Sequence, residues 1–167
     1  MRKSVLPVLI VCATTFGVIA QAQPAPMIDS SWHCSAPSPS YNIPFPGSTT
    51  HAYSIDQSTC AATKGEIAGV KEKDGVATEF NEVTGSVSKG HGVFIETLTS
   101  GDKVTVSYTS TATMGPNNQF VSGTNSWTLS GGTGKLKGIT GKGTCKAKGN
   151  ADGTADFTCT GPYTLPK

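Results

Sequence analysis

Residues 131–143 read Gly-Gly-Thr-Gly-Lys-Leu-Lys-Gly-Ile-Thr-Gly-Lys-Gly, and this spacing of glycines decides the fold class. A helix would not tolerate this density, because each interior glycine costs about 1 kcal/mol relative to alanine. Glycines at strand-like spacing instead mark bends, bulges and close approaches of the backbone in a strongly curved sheet. The run therefore predicts a closed or tightly coiled β-structure.

The clearest strand candidate lies upstream, over residues 103–114. Apolar side chains alternate there with hydroxyl-bearing ones, in a sequence that begins Lys-Val-Thr-Val-Ser-Tyr. This period of two predicts a strand with one buried face and one exposed face. Turn sequences at 100–102 and 115–118 separate it from strands predicted over 92–99 and 120–130.

Short strands separated by turns continue toward the N-terminus. Asp74-Gly75 predicts a hairpin turn between strands over 66–70 and 76–80. The pattern as a whole predicts an all-β fold, a single antiparallel barrel of about eight strands. The alternative is a two-sheet β-sandwich, which is disfavoured because the chain lacks the Cys…Trp…Cys order of immunoglobulin domains.

The C-terminal hairpin can be predicted in register. A three-residue loop Ala151-Asp152-Gly153, with Gly153 in the left-handed conformation, is typical of such hairpins. The register that follows pairs two cysteines, two apolar residues and two opposite charges: Cys145 with Cys159, Ala147 with Phe157, and Lys148 with Asp156. We therefore predict a Cys145–Cys159 disulfide, which leaves Cys34 and Cys60 as the second pair.

The N-terminus predicts export. Two basic residues precede an apolar stretch over residues 5–20, and Ala20-Gln21-Ala22 supplies a small-x-small cleavage pattern. We predict a signal peptide over residues 1–22, cleaved after Ala22, and a periplasmic or extracellular location. Cys12 leaves with the signal, and an even number of cysteines in an exported chain is typical of disulfides.

The mature chain divides into two predicted segments. Residues 24–50 hold six of the ten prolines, a density that disfavours both helices and ladders. We predict a Pro-rich irregular N-terminal arm over 23–62, tethered by its cysteine, and a barrel domain over 63–167. No apolar run of membrane-spanning length follows the signal, so no membrane span is expected after cleavage.

Several function classes are disfavoured by composition and spacing. The chain after Ala22 contains no arginine, which argues against nucleic-acid binding. The Gly-Lys pairs lack the earlier glycine that a phosphate-binding loop requires. His33, His51 and His91 form no metal-binding motif, so we expect neither a metal nor a cofactor.

The candidate site lies on the central strands. Glu96 lies inside the apolar run 93–98. Alternate residues of a strand share a face, so Glu96 lies on the same face as Phe94 and Leu98. If that face points inward, the carboxylate of Glu96 points into the interior. Burial would raise its pKa and suit it to act as a general base. In the opposite register Glu96 faces water. We expect Phe94, Tyr108 and Trp127 to line a ligand cavity.

Residues 127–145, from Trp127 through the glycine run to Cys145, resemble the glycine signature of the allene oxide cyclase and dirigent barrels. The ending Gly161-Pro162-Tyr163-Thr164-Leu165 is similar to uncharacterised bacterial barrel proteins of the same plan. The resemblance covers roughly residues 66–165. It implies an eight-stranded antiparallel barrel with an apolar lumen, and it makes an oligomer conceivable, since plant relatives are often oligomeric. The resemblance implies no particular reaction, because dirigent pockets use pairs of arginine and aspartate and the chain after Ala22 contains no arginine.

These observations favour a binding module that holds a small apolar ligand in the barrel mouth. Two alternatives stay open. One is a cofactor-free isomerase or cyclase that acts in the same cavity. The other is a structural or surface-interaction protein whose barrel is filled by side chains.

Overall fold

The structure, a computed structural model, describes residues 25–166. It contains ten strands and two short 3₁₀ helices, Pro116–Asn118 and Gly134–Leu136. In chain order the strands are β1 (Met27–Cys34), β2 (Ser40–Pro44), β3 (His51–Lys64), β4 (Glu66–Ile67), β5 (Val70–Thr84), β6 (Val87–Leu98), β7 (Lys103–Met114), β8 (Phe120–Gly132), β9 (Thr140–Gly149) and β10 (Ala155–Thr164). None of the helices within residues 25–166 has the length and apolar character needed to cross a bilayer. The predicted signal peptide and its cleavage site lie outside the described residues.

The strands form an antiparallel sheet that closes on itself. From β5 to β10 each strand pairs with the next, β10 pairs with β1, and β1 pairs with β3. A long β3–β5 pairing, from His51↔Thr84 to Ala61↔Asp74, completes the ring. Eight strands therefore make the barrel, and β2 and β4 are additions to it. The predicted barrel is confirmed, and the alternative of a two-sheet sandwich is wrong.

The barrel begins at β1, well before the boundary at residue 63 that the prolines suggested. β1 and β2 lie end to end along one edge of β3, with Cys34 opposite Cys60 and Ser40 opposite Asp56. The prolines interrupt pairing without preventing it, because Pro37 and Pro39 fall in the connection between the two strands. The segment predicted to be irregular thus supplies β1 and most of β3, two of the eight barrel strands, together with the added strand β2.

The C-terminal hairpin has the predicted register. β9 and β10 pair Cys145 with Cys159, and the apolar and charged pairs follow as expected. Gly153 has a φ of +84°, the left-handed conformation that the loop requires. The predicted disulfides are confirmed: Cys145 is bonded to Cys159, and Cys34 is bonded to Cys60 across β1 and β3.

The turn predicted at Asp74-Gly75 is wrong. β5 continues through both residues, and the hairpin turn lies earlier, at Ala68 and Gly69, which both have positive φ. At residue 75 the missing side chain makes room for the ring of Phe94 rather than for a turn, since a Cβ there would overlap the ring. β5 also contains a bulge between Glu72 and Asp74.

One end of the barrel is packed solid. The fully buried side chains gather where β6 ends and β7 begins: Ile67, Leu98, Val104, Leu136 and Ile139. Leu136 and Ile139 come from the glycine run, part of which forms the 3₁₀ helix Gly134–Leu136 between β8 and β9. We call this the packed end. The opposite end, bounded by loops 35–39, 115–119 and 150–154, is the mouth.

The candidate site in the barrel lumen

A cavity of about 490 Å³ occupies the lumen between the packed end and the mouth. All eight barrel strands contribute side chains to its wall. β7 is the simplest example. Its alternate side chains from Val106 through Tyr108 to Met114 form the face that the sequence predicted to be buried, and this face lines the cavity. The prediction of a strand over 103–114 with two distinct faces is confirmed.

The three aromatic residues predicted to contact a ligand all line this cavity. Phe94 comes from β6, Tyr108 from β7 and Trp127 from β8. Trp32 of β1 joins them, with its ring edge-to-face on Phe94 at a centroid distance of 5.0 Å. The structure therefore brings the predicted residues together on one wall, and their contact with a ligand stays a prediction.

Glycines create the room in which these rings lie. Tyr108 is paired with Gly92 across β6–β7, and a Cβ at residue 92 would lie 2.7 Å from the phenol oxygen. Trp127 is paired with Gly143 across β8–β9, where a Cβ would overlap the indole ring. A Cβ at Gly161 would lie 2.7 Å from the same ring. The glycine pattern thus shapes the lumen as well as the curvature of the sheet.

Two carboxyl groups are buried in the wall of the lumen. Glu72 of β5 is 7% exposed and Glu96 of β6 is 4% exposed. Ser30 of β1 donates a hydrogen bond from its hydroxyl to Oε1 of Glu72, at 2.6 Å. Glu96 therefore takes the inward register of the two that its sequence allowed.

Three buried side-chain atoms have no hydrogen-bond partner within residues 25–166. They are Oε2 of Glu72, Oε1 of Glu96 and Nε1 of Trp127. All three residues line the cavity. A buried polar group without a partner costs about 1–3 kcal/mol, and more where the group is charged. All three atoms are themselves shielded by the surrounding protein, in residues whose other atoms line the cavity.

Burial controls the protonation of both carboxyl groups. Loss of solvation raises the pKa of Glu72 to about 7, against a smaller lowering by the Ser30 hydroxyl. Loss of solvation, together with a smaller contribution from the neighbouring charge of Glu72, raises the pKa of Glu96 to about 9. At neutral pH Glu96 is therefore protonated, whereas Glu72 is close to half ionised.

A second polar group lies nearer the mouth. Glu79 accepts a hydrogen bond from the Ser110 hydroxyl, and burial raises the pKa of this carboxyl. Asp56 accepts hydrogen bonds from Ser54 at 2.6 Å and from the Asn81 amide at 3.2 Å. Unlike Glu72 and Glu96, neither Asp56 nor Glu79 has a buried oxygen that lacks a hydrogen-bond partner among residues 25–166.

Tyr108 lies against this second group. Burial raises the pKa of its phenol well above the ordinary value, and the charges of Glu79 and Asp56 raise it further. The phenol is therefore neutral across the physiological range, and it can only donate or accept a hydrogen bond.

The cavity wall carries four carboxylic acids and no basic side chain of the described residues. Asp56, Glu72, Glu79 and Glu96 line the cavity, and no lysine, arginine or histidine of the described residues does so. The lumen thus combines aromatic and apolar surface with an excess of carboxyl groups.

Reasoning from sequence missed Glu72. Its place in the lumen depends on the bulge after it, which adds one residue and shifts the inward parity of β5. The Asp74-Gly75 pair suggested a turn and so hid this strand. Glu79 could have been found, because it shares the period-two parity of Ala77 and Asn81 once β5 is known to be continuous.

The three histidines lie away from the lumen. His33 contacts Asp156 at 2.7 Å and His51 contacts Glu82 at 2.8 Å, both on the outer surface. His91 stacks on Phe80. Across residues 25–166, no group of three potential ligand side chains is arranged to hold a metal ion.

Comparison with known proteins adds no assignment. Neither a protein-family model nor a curated protein matches this sequence. The resemblance to allene oxide cyclase and dirigent barrels stays a prediction, and the function has to be inferred from the lumen itself.

Proposed function

We propose that this protein is an exported binding module that holds a small apolar ligand in the lumen of its barrel. The observation that carries the proposal is the open cavity of about 490 Å³, walled by aromatic rings and closed at one end by the packed core. Cavities of about 300–1,000 Å³ with mostly apolar walls and a few placed polar groups are typical of small-molecule sites.

The open lumen argues against a barrel filled by side chains. The cavity of about 490 Å³ is space that a filled barrel would lack, and the small side chain of Ala77 faces it. Gly90 and Gly92 make room for the neighbouring side chains of Asn81 and Tyr108. Two disulfides are compatible with an oxidising compartment, and they support the proposed periplasmic or extracellular location.

A second candidate is a cofactor-free isomerase or cyclase that uses the same cavity. The observation that favours it is the buried pair Glu72 and Glu96, because a carboxylate with a pKa of about 7 is suited to remove a proton at neutral pH. In that case Glu96→Gln or Glu72→Gln would abolish turnover of a bound substrate without abolishing its binding. We favour binding, since the cavity by itself requires no reaction.

A lumen-blocking substitution tests the proposal. Ala77 of β5 faces the cavity, whereas its neighbour Thr78 points outward on the same strand. We expect the purified protein to bind the neutral fluorophore N-phenyl-1-naphthylamine in a saturable manner, with one probe per barrel. Ala77→Trp should abolish this binding, and the matched control Thr78→Trp should retain it.

The proposal fails if the unsubstituted protein shows no saturable binding. It also fails if Ala77→Trp binds the fluorophore as tightly as Thr78→Trp while both give the near-ultraviolet circular dichroism of a folded barrel. In either case the cavity is not the binding site.

A further inference from the structure

The deepest polar groups of the lumen indicate what kind of ligand head group they bind. Oε2 of Glu72 and Oε1 of Glu96 are both buried, and neither has a hydrogen-bond partner within residues 25–166. Glu72 already uses its other oxygen for the Ser30 hydroxyl. Once both carboxyl groups are ionised, the pair can only accept hydrogen bonds, and a ligand that ends in an acceptor would leave both oxygens unsatisfied.

The charge of the cavity wall limits the chemical class of ligand that the lumen can bind. The four ionisable acids of the lumen, Asp56, Glu72, Glu79 and Glu96, have no basic counterpart among the described lining residues. An anionic ligand would be repelled by this field, and a cationic one would be attracted. The same low-dielectric surroundings that disfavour an isolated carboxylate make its hydrogen bond to a cation strong.

The aromatic wall suits the same ligand. Trp32, Phe94 and Trp127 line the cavity with the two acids. Aromatic faces attract organic cations, and they also pack against an aromatic or aliphatic body. The buried indole N–H of Trp127 is a donor without a partner within residues 25–166, whereas its ring lines the cavity.

We propose that the lumen binds a small organic amine: an apolar body with one protonated amino group, whose N–H donors pair with Glu72 and Glu96. This inference rests on the proposed binding function and adds the class of ligand to it. The ammonium group keeps its own protons. The proton that the carboxyl pair holds in the free protein leaves to the solvent when the amine binds.

This proton release makes binding depend on pH. The titratable groups that face the cavity are Glu72, Glu96, Glu79, Asp56 and Tyr108. Because Glu72 has a pKa of about 7, its ionised fraction rises about tenfold between roughly pH 6 and pH 8. We expect the affinity for an amine to rise by more than this factor over that range, because Glu96, with a pKa of about 9, must lose its proton as well.

Three probes with one aromatic body separate the alternatives. They are 2-phenylethylamine, 2-phenylethanol and phenylacetate, which end in a cation, a neutral hydroxyl and an anion. By isothermal titration calorimetry near pH 8, we expect the amine to bind about ten- to a hundredfold more tightly than the alcohol. Phenylacetate should bind least. Titration in buffers of different ionisation enthalpy should show proton release with the amine alone.

Substitutions locate the ammonium group. Glu72→Gln and Glu96→Gln should each reduce affinity for the amine by about tenfold or more while leaving the alcohol little affected. Glu66→Gln, at the exposed position of β4, is the matched control and should change neither affinity. A larger loss from Glu79→Gln than from both deep substitutions would overturn the proposed location.

The remaining outcomes distinguish this inference from the function on which it rests. If 2-phenylethanol or phenylacetate binds at least as tightly as the amine, the ligand is not an amine, and the binding function stands. If N-phenyl-1-naphthylamine binds and none of the three probes does, the amine proposal also fails while the binding function stands. If neither the fluorophore nor any probe binds the folded protein, both proposals fail.

Discussion

The indole ring of Trp127 lies directly over Gly143, its cross-strand partner in the β8–β9 pair. Gly143 is the last glycine of the run at 131–143, and the ring occupies the space that a side chain there would fill. One glycine thus serves both the curvature of the barrel and the shape of its cavity. This relationship links the most distinctive stretch of the sequence to the candidate binding site.

The glycines of this run are therefore not equivalent. A Cβ at Gly143 would overlap the Trp127 ring and the Thr160 carbonyl oxygen, whereas a Cβ at Gly131 meets nothing within 4 Å. We expect Gly143→Ala to lower the free energy of unfolding by about 1–3 kcal/mol through overpacking. Gly131→Ala is the matched control and should be neutral or slightly stabilising.

Urea denaturation followed by tryptophan fluorescence measures both free energies. Equal stability of the two variants would contradict the packing of Trp127 over Gly143.

The buried carboxyl groups predict how stability depends on pH. The pKa of Glu96 rises from 4.5 in the unfolded chain to about 9 in the folded one, so the folded state binds the proton more tightly. Stability therefore falls as the pH rises from about 4.5 toward 9, where ionisation costs the folded state most. Glu96→Gln removes this cost and should raise the melting temperature near pH 9 by about 4 °C or more.

Thermal melts near pH 4 and pH 9 test this expectation. At the acidic pH the parent carboxyl is neutral in both states, so the variant and the parent should melt at similar temperatures. Glu66→Gln, at an exposed position, should follow the parent at both values. A parent protein that is more stable than Glu96→Gln at pH 9 would contradict the burial of this group.

The Cys34–Cys60 disulfide joins β1 to β3 across a sequence separation of 26. In the chain-entropy account, removing a cross-link that closes such a loop costs roughly 3–4 kcal/mol. We expect the double variant Cys34→Ala/Cys60→Ala to lose about that much free energy of unfolding in urea.

The Cys145–Cys159 bond closes a shorter loop, with a separation of 14, and its removal should cost about 3 kcal/mol. Peptide mapping without reductant should recover these two pairs and no other. A Cys34–Cys145 link would refute the register of the C-terminal hairpin.

Local patterns predicted much of the fold. The alternation over 103–114 predicted β7 with its bounds and its inward face, and three matched pairs predicted the register of β9 against β10. Both are properties of neighbouring residues or of one short hairpin. The aromatic candidates Phe94, Tyr108 and Trp127 followed from the same parity, and all three line the cavity.

The two predictions that were wrong, a turn at Asp74-Gly75 and an irregular proline-rich segment, failed for the same reason. Asp74-Gly75 is a good turn sequence, yet long pairings on both sides hold it in β5. The proline-rich segment likewise contributes β1 and β2, because β3 offers an edge against which the residues between the prolines can pair. In both places a partner distant in sequence outweighed the local preference.

Patterns in the sequence predicted the fold class, the central strands and the disulfide partners, because these depend on periodicity or on a few matched residues. The closure of the sheet through β3 and β5, the open lumen and the position of Glu72 beside Glu96 in its wall are visible only in the three-dimensional structure. Closure needs contacts between strands far apart in the chain, and the inward position of Glu72 needs one bulge. Neither leaves a local signal, and together they convert a curved sheet into an acidic, aromatic cavity.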